Sequence, residues 1–145
     1  MQLRLIATTP GISIYYDEIN RWLYTDWQGV HTQESSQAAG LLLLEVLRQQ
    51  PSSKILNDTS TIVSTSVDLS TWDQWWLREL VGAGLRYIAW VYPRLFPDRD
   101  ATERILIHVK PMVVTTFDDV ATACLWLQKQ GVAAHPSSPT VALLG

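Results

Sequence analysis

Cysteine is almost absent from this chain. Cys124 stands alone, so no intrachain disulfide can staple the fold, and the stability must come from a packed core, as in a reducing compartment. Long apolar runs are missing too. No segment approaches the roughly 18 uninterrupted apolar residues of a membrane-spanning helix, and "MQLRLIATTPG" at the start holds no apolar stretch of signal-peptide length. The expectation from both is a cytoplasmic protein. Nor is there a run of Lys and Arg. With 11 basic and 14 acidic residues the net charge is −3, which disfavours a surface built to track a phosphate backbone and so nucleic-acid binding. Gly-x-Ser-x-Gly, Gly-x-x-x-x-Gly-Lys-Ser/Thr and the dinucleotide fingerprint are absent, which removes the commonest nucleophile and phosphate-cradle signatures.

Apolar residues, in contrast, make up 47% of the 145, and tryptophan occurs seven times. A chain of this length forms one domain with a core of its own. Residues 1–130 are expected to be that domain, and 131–145, with its Pro and Ser breakers, a C-terminal tail.

Period-two alternation opens the chain. Leu3, Leu5 and Ala7 face away from Gln2 and Arg4, then Ile12, Ile14 and Tyr16 alternate with Ser13, Tyr15 and Asp17. Both stretches read as half-buried strands broken at Pro10-Gly11. "DEIN" turns the chain and "RWLYTDW" returns, giving an antiparallel hairpin near 12–27. Thr32 caps a helix over about 33–50, with Ala39, Leu42, Leu43, Val46 and Leu47 in one stripe widened by Leu41 and Leu44. "SKILN" reads as a buried strand. Ser70-x-x-Asp73 resembles a capping box for a helix over about 71–83, closed by Gly84. "RYIAWVY" is apolar on both faces, as a central strand covered on both sides should be, and Trp90 is expected to be nearly buried there. A short helix over 98–109, a strand at "PMVVTTF", and a helix opened by Thr116-x-x-Asp119 and closed by Gly131 complete the order. Strands joined through helices are parallel. The fold class is therefore α/β, a mixed sheet with an N-terminal antiparallel hairpin, parallel strands and about four helices.

The segments "YYDEINRWLYTDWQG", "KILNDTS", "GLRYIAWVYP" and "TFDDVATACLWL", in this order of elements, resemble the STAS-like, or SpoIIAA-like, anti-sigma-factor-antagonist family over about residues 10–130. The resemblance implies a small regulatory domain that binds other proteins and is not an enzyme. In that family the loop after the buried strand leads to a helix starting Asp-Ser-x-Gly, whose serine is phosphorylated. The present loop holds Ser60, Ser64, Ser66 and Ser70 without that motif, so the phosphoserine is not carried over.

The candidate binding residues lie around this loop. Asn57 and Asp58 end a parallel strand, where open α/β sheets tend to bind ligands, and Tyr92 and Arg94 end the next one, Arg94 with a fork suited to an anion. The bland reading makes Asn57 and Asp58 loop-tying Asx residues. Trp72, Trp75 and Trp76 crowd the following helix, with Trp72 and Trp76 on one face; aromatic surface left over from the core would serve an interface or a pocket. His31, His108, His135 and Cys124 have no metal-ligand spacing, so neither metal nor cofactor is expected; His31 reads as a turn residue and Cys124 as a buried, inert thiol. The favoured function is regulatory binding to a protein partner, with a homodimer expected from the wide apolar sector of the first helix and the extra surface of Trp75. The rival is a small-molecule or lipid-pocket protein, or a weak enzyme, using a cleft near Asn57, Asp58 and Arg94.

Overall fold

The computed structural model describes residues 1–62, 71–92 and 111–131. The expected helix over 98–109, the capping role of Ser70 and the tail beyond 131 lie outside them, as do Ser64, Ser66 and Arg94. The strands are β1 (Leu3–Thr8), β2 (Ile12–Asp17), β3 (Trp22–Trp27), β4 (Lys54–Asp58), β5 (Tyr87–Val91) and β6 (Val113–Phe117). The helices are α1 (Gln33–Gln49), α2 (Thr71–Gly82) and α3 (Val120–Lys129). Three helices are present among the described residues, fewer than the four expected.

The six strands lie in sequence order across one sheet. β1, β2 and β3 are antiparallel neighbours, and β3 through β6 are parallel. The mixed sheet read from the sequence is therefore present. Crossovers of one hand that all step the same way along a sheet put their helices on one face. α1 and α2 accordingly share a core with Ile12, Ile14, Leu23, Ile55 and Ile88. α3 follows the last strand and packs on the other face, where Ala123 and Leu127 meet Trp22, Leu56, Ala89 and Val91. The two-sided apolar pattern of β5 thus reflects cover on both faces.

Local chemistry explains the element ends. The turn between β2 and β3 is built by Asp17, whose carboxylate accepts from the backbone N–H groups of Ile19 and Asn20 and from the Asn20 side chain. Burial acts to raise the Asp17 pKa, but bonds from Asn20, Ile19 and Gln2 outweigh it and hold the carboxyl below its ordinary value. Thr32 caps α1 as expected, in a reciprocal box with Ser35. Gly84 and Gly131, after α2 and α3, have φ of +107° and +76°, the left-handed conformation that stops a helix.

Three expectations need correction. Leu3 and Leu5 are 39% and 52% exposed; Ile6 and Ala7 instead pack on the core. The register shifts between Leu5 and Ala7, and such a bulge on an edge strand inserts a residue and reverses which side chains face inward. Thr116 lies within β6 and is not the cap of α3; Asp119 is itself that cap, accepting from Thr122 N at 2.7 Å. Trp90 sits on β5, an interior strand next to the edge strand β6 and not a central one, and it is only half-buried toward the strand end, where its indole N–H donates to Thr59 Oγ1 at 3.3 Å.

Candidate functional site

The parallel strands β3, β4 and β5 end together, and this end holds the buried polar side chains of Thr25, Asn57 and Asp58, with Thr59 next to them. Alternation along a strand sends neighbours to opposite faces, so this edge carries two separate clusters.

On the α1/α2 face the centre is Asn57, only 3% exposed. Its Oδ1 accepts from Thr25 Oγ1 and from Trp27 Nε1, each at 2.7 Å. The register that pairs Thr25 with Asn57 sets these groups side by side. His31 closes the cluster: its ring lies 5.6 Å from that of Trp27, and Nε2 is 2.9 Å from the Gly11 carbonyl oxygen. A Cβ on Gly11 would come within 3.0 Å of the His31 ring. His31 is therefore a buried spacer between the β1–β2 connection and α1, more than the turn residue it resembled in the sequence.

On the α3 face the centre is Asp58. Tyr24 donates its hydroxyl to Oδ2 at 2.8 Å, and Ser60 donates both its backbone N–H and its hydroxyl to Oδ1. Asp26 is the register partner of Asp58 on β3, so two carboxylates stand on adjacent strands and the same face. Burial, and then the charge of Asp58, raises the Asp26 pKa above its ordinary value. Burial, the bond to Asp58 and the surrounding negative charges push the Tyr24 phenol far above its usual range, so it stays protonated as a donor.

The start of the hydroxyl-rich loop is tied down. Thr59 binds the Val91 carbonyl through both N–H and hydroxyl, and Thr61 donates to the Trp27 carbonyl at 3.1 Å. Up to Ile62 these side chains satisfy backbone and carboxylate groups of the fold, as Ser and Thr do in connectors.

Asn57 and Asp58 are both placed at the strand end, but on opposite faces of the sheet, so they do not line one wall together. Tyr92 is buried, 2% exposed, one residue past β5. Ser60 is consumed by Asp58. Tyr24, Asp26, Thr25 and Trp27 were missed by sequence reasoning. The alternation Trp22, Tyr24, Asp26 was visible, but which residues they face depends on the parallel register.

The tryptophans of α2 divide as their spacing implies. Trp76 is buried, and its Nε1 donates to the Gly40 carbonyl at 2.7 Å. Trp72 stacks on it, half-buried, with ring centroids 6.2 Å apart and planes at 12°. A Cβ on Gly40 would lie 3.1–3.3 Å from both rings, so the two helices cross where α1 has no side chain. Trp75 leans on Trp72 at 5.8 Å and is 38% exposed. Cys124 is half-buried on α3, not buried as expected; burial, and then the nearby Asp17, raises its pKa, which favours the protonated thiol.

Among the described residues no group of three or more His, Cys, Asp or Glu is placed to hold a metal ion. No described helix is long and apolar enough to cross a membrane.

No family model matches the chain, and no curated protein matches it. Among solved structures it is similar to a protein of the DUF3478 family from Shewanella loihica, described as having a SpoIIAA-like fold. The two are 21% identical over 84% of this chain and 98% of that one, with a TM-score of 0.56. The likeness establishes the fold: this chain is SpoIIAA-like.

Proposed function

We propose that the protein is a non-enzymatic regulatory domain that binds a protein partner through the outward face of α2. The observation that carries this reading is Trp75. It is 38% exposed, braced by the ring of Trp72, on the helix whose other tryptophan is locked into the core. Exposed tryptophan is enriched at protein interfaces, and a rigidly held ring loses little entropy on docking. The same helix occupies the place, after the buried strand and its loop, of the helix that is phosphorylated in the family the chain resembles. Support also comes from the strand end. Asn57 and Asp58 are held in hydrogen bonds on opposite faces, which suits a rigid platform better than an acid–base pair.

A two-fold homodimer through this surface belongs to the same reading, since closed pairs are the commonest assemblies. The test is a comparison of proteins co-purified from the native host with the wild type, Trp75→Glu and Asp58→Ala, each shown to be folded by circular dichroism. The expected result is a stoichiometric partner kept by wild type and Asp58→Ala and lost by Trp75→Glu. Retention of that partner by Trp75→Glu would overturn the assignment.

A further inference from the structure

Trp22 opens β3 on the α3 face and is 1% exposed. Its Nε1 is, among the described residues, the one buried side-chain polar atom without a hydrogen-bond partner. A buried N–H left unpaired is costly, and native structures rarely keep one without a reason.

Its neighbours point to the reason. The register that pairs Leu23 with Ile55 sets Trp22 beside Lys54, and Lys54 pairs with Tyr87. Indole, ammonium and phenol thus form a row across the amino ends of three adjacent parallel strands. Lys54 Nζ sits over the face of the Trp22 ring, 5.7 Å from its centroid, a cation–π contact that leaves its N–H donors free of any acceptor among the described residues. The two salt bridges among the described residues, Arg4–Glu18 and Arg48–Glu79, do not involve it. Burial holds its pKa below the ordinary lysine value, the expected direction for a partly desolvated cation. The walls are apolar: Leu56, Ala89 and Leu127 share the cluster with Trp22 and Tyr87. At the far end, Tyr87 Cε2 is 3.8 Å from the place a Cβ on Gly131 would occupy.

An N–H donor and an ammonium that both lack a hydrogen-bond acceptor among the described residues are satisfied together by one kind of group. We propose that Trp22, Lys54 and Tyr87 form a binding site for a small oxyanion, a carboxylate or a phosphate. One oxygen accepts from Trp22 Nε1–H, the Lys54 ammonium neutralises the charge, and the half-buried Tyr87 hydroxyl is a further donor. Such charge-assisted bonds in an apolar surround are stronger than their counterparts in water. The Lys54 stem is the movable wall, since a lysine can swing its head while the stem stays on apolar surface. This site is at the opposite end of the strands from Asp58 and does not depend on the α2 surface.

The test is ¹⁵N NMR of the indole N–H groups. The chain has seven tryptophans, and Trp22→Phe identifies the signal in question; if that variant does not fold, through-space contacts to Lys54 identify it instead. Sodium acetate and sodium phosphate are titrated separately at constant ionic strength, with chloride as the balancing anion. The expected result is a saturable shift of the Trp22 indole signal with one or both anions, the responding anion defining the class. In Lys54→Met the affinity should fall roughly tenfold or more, the usual scale for losing a charged partner. A Trp22 signal indifferent to both anions overturns the proposal and leaves the N–H to an internal water only. A response unchanged in Lys54→Met overturns it equally.

Discussion

Asn57→Ala removes the acceptor on which the α1/α2 side of the strand end is built. Two donors lose their partner at once. The Thr25 hydroxyl keeps a longer contact to the Leu56 carbonyl at 3.5 Å, but Trp27 Nε1 bonds to Asn57 alone. A buried donor left unsatisfied costs about 1–3 kcal/mol. With a smaller loss from Thr25 and from the vacated volume, the total comes to about 3 kcal/mol. For a domain of this size that corresponds to a drop in Tm of roughly 6–12 °C. Urea and thermal unfolding followed by circular dichroism measure it. The double-mutant control is Trp27→Phe, which removes the stranded N–H. In that background Asn57→Ala should cost at least about 1 kcal/mol less, the coupling expected of groups in one hydrogen-bond network. A cost under about 1 kcal/mol, or strict additivity of the two changes, would refute the idea that Asn57 serves the architecture.

Other expectations follow from the same geometry. Gly40→Ala should destabilise by about 1–3 kcal/mol in thermal melts, because overpacking against Trp72 and Trp76 outweighs the helix propensity that alanine adds. Asp26→Asn should raise the Tm at pH 7 and leave it unchanged near pH 3. A carboxyl whose folded pKa is raised binds more protons folded than unfolded, so its penalty appears as pH climbs above the ordinary value of 3.8 and is absent below it. Trp75→Glu should shift stability by no more than about 0.5 kcal/mol, as an exposed site does. Light scattering at roughly tens of micromolar, a range that reveals moderate affinities, should show a dimer for the wild type and the 16.4 kDa monomer for Trp75→Glu; a wild-type monomer would argue against the homodimer.

Much of the fold is legible in local pattern, and the misses share a cause. The β2–β3 hairpin, the Thr32 cap, the glycine stops at Gly84 and Gly131 and the core stripe of α1, apart from Leu41, which is exposed, all depend on residues within a few positions of one another. β1 defeats the same logic because its alternation crosses a bulge, and nothing in "LRLIA" announces an inserted residue. Thr116-x-x-Asp119 has the spacing of a cap, yet strand pairing with Trp90 claims Thr116, and the cap falls to Asp119. The strand-end residues were half visible. Asn57 and Asp58 could be placed at the end of a parallel strand, but their partners Tyr24, Thr25, Asp26 and Trp27 are about thirty residues away and set by register. Trp22 is the clearest case. In the sequence it is one more core tryptophan, and only the packed neighbours show that its N–H has no acceptor.

Native mass spectrometry of the protein purified from its own host tests the central claim most directly, since it separates a polypeptide partner from a small ligand in one spectrum. Binding through α2 predicts added mass of polypeptide size, a second copy or another chain, that disappears in Trp75→Glu and survives in Asp58→Ala. A chain that carries only a small molecule, lost in Asp58→Ala and kept in Trp75→Glu, would contradict the account and place function in the strand-end cleft instead.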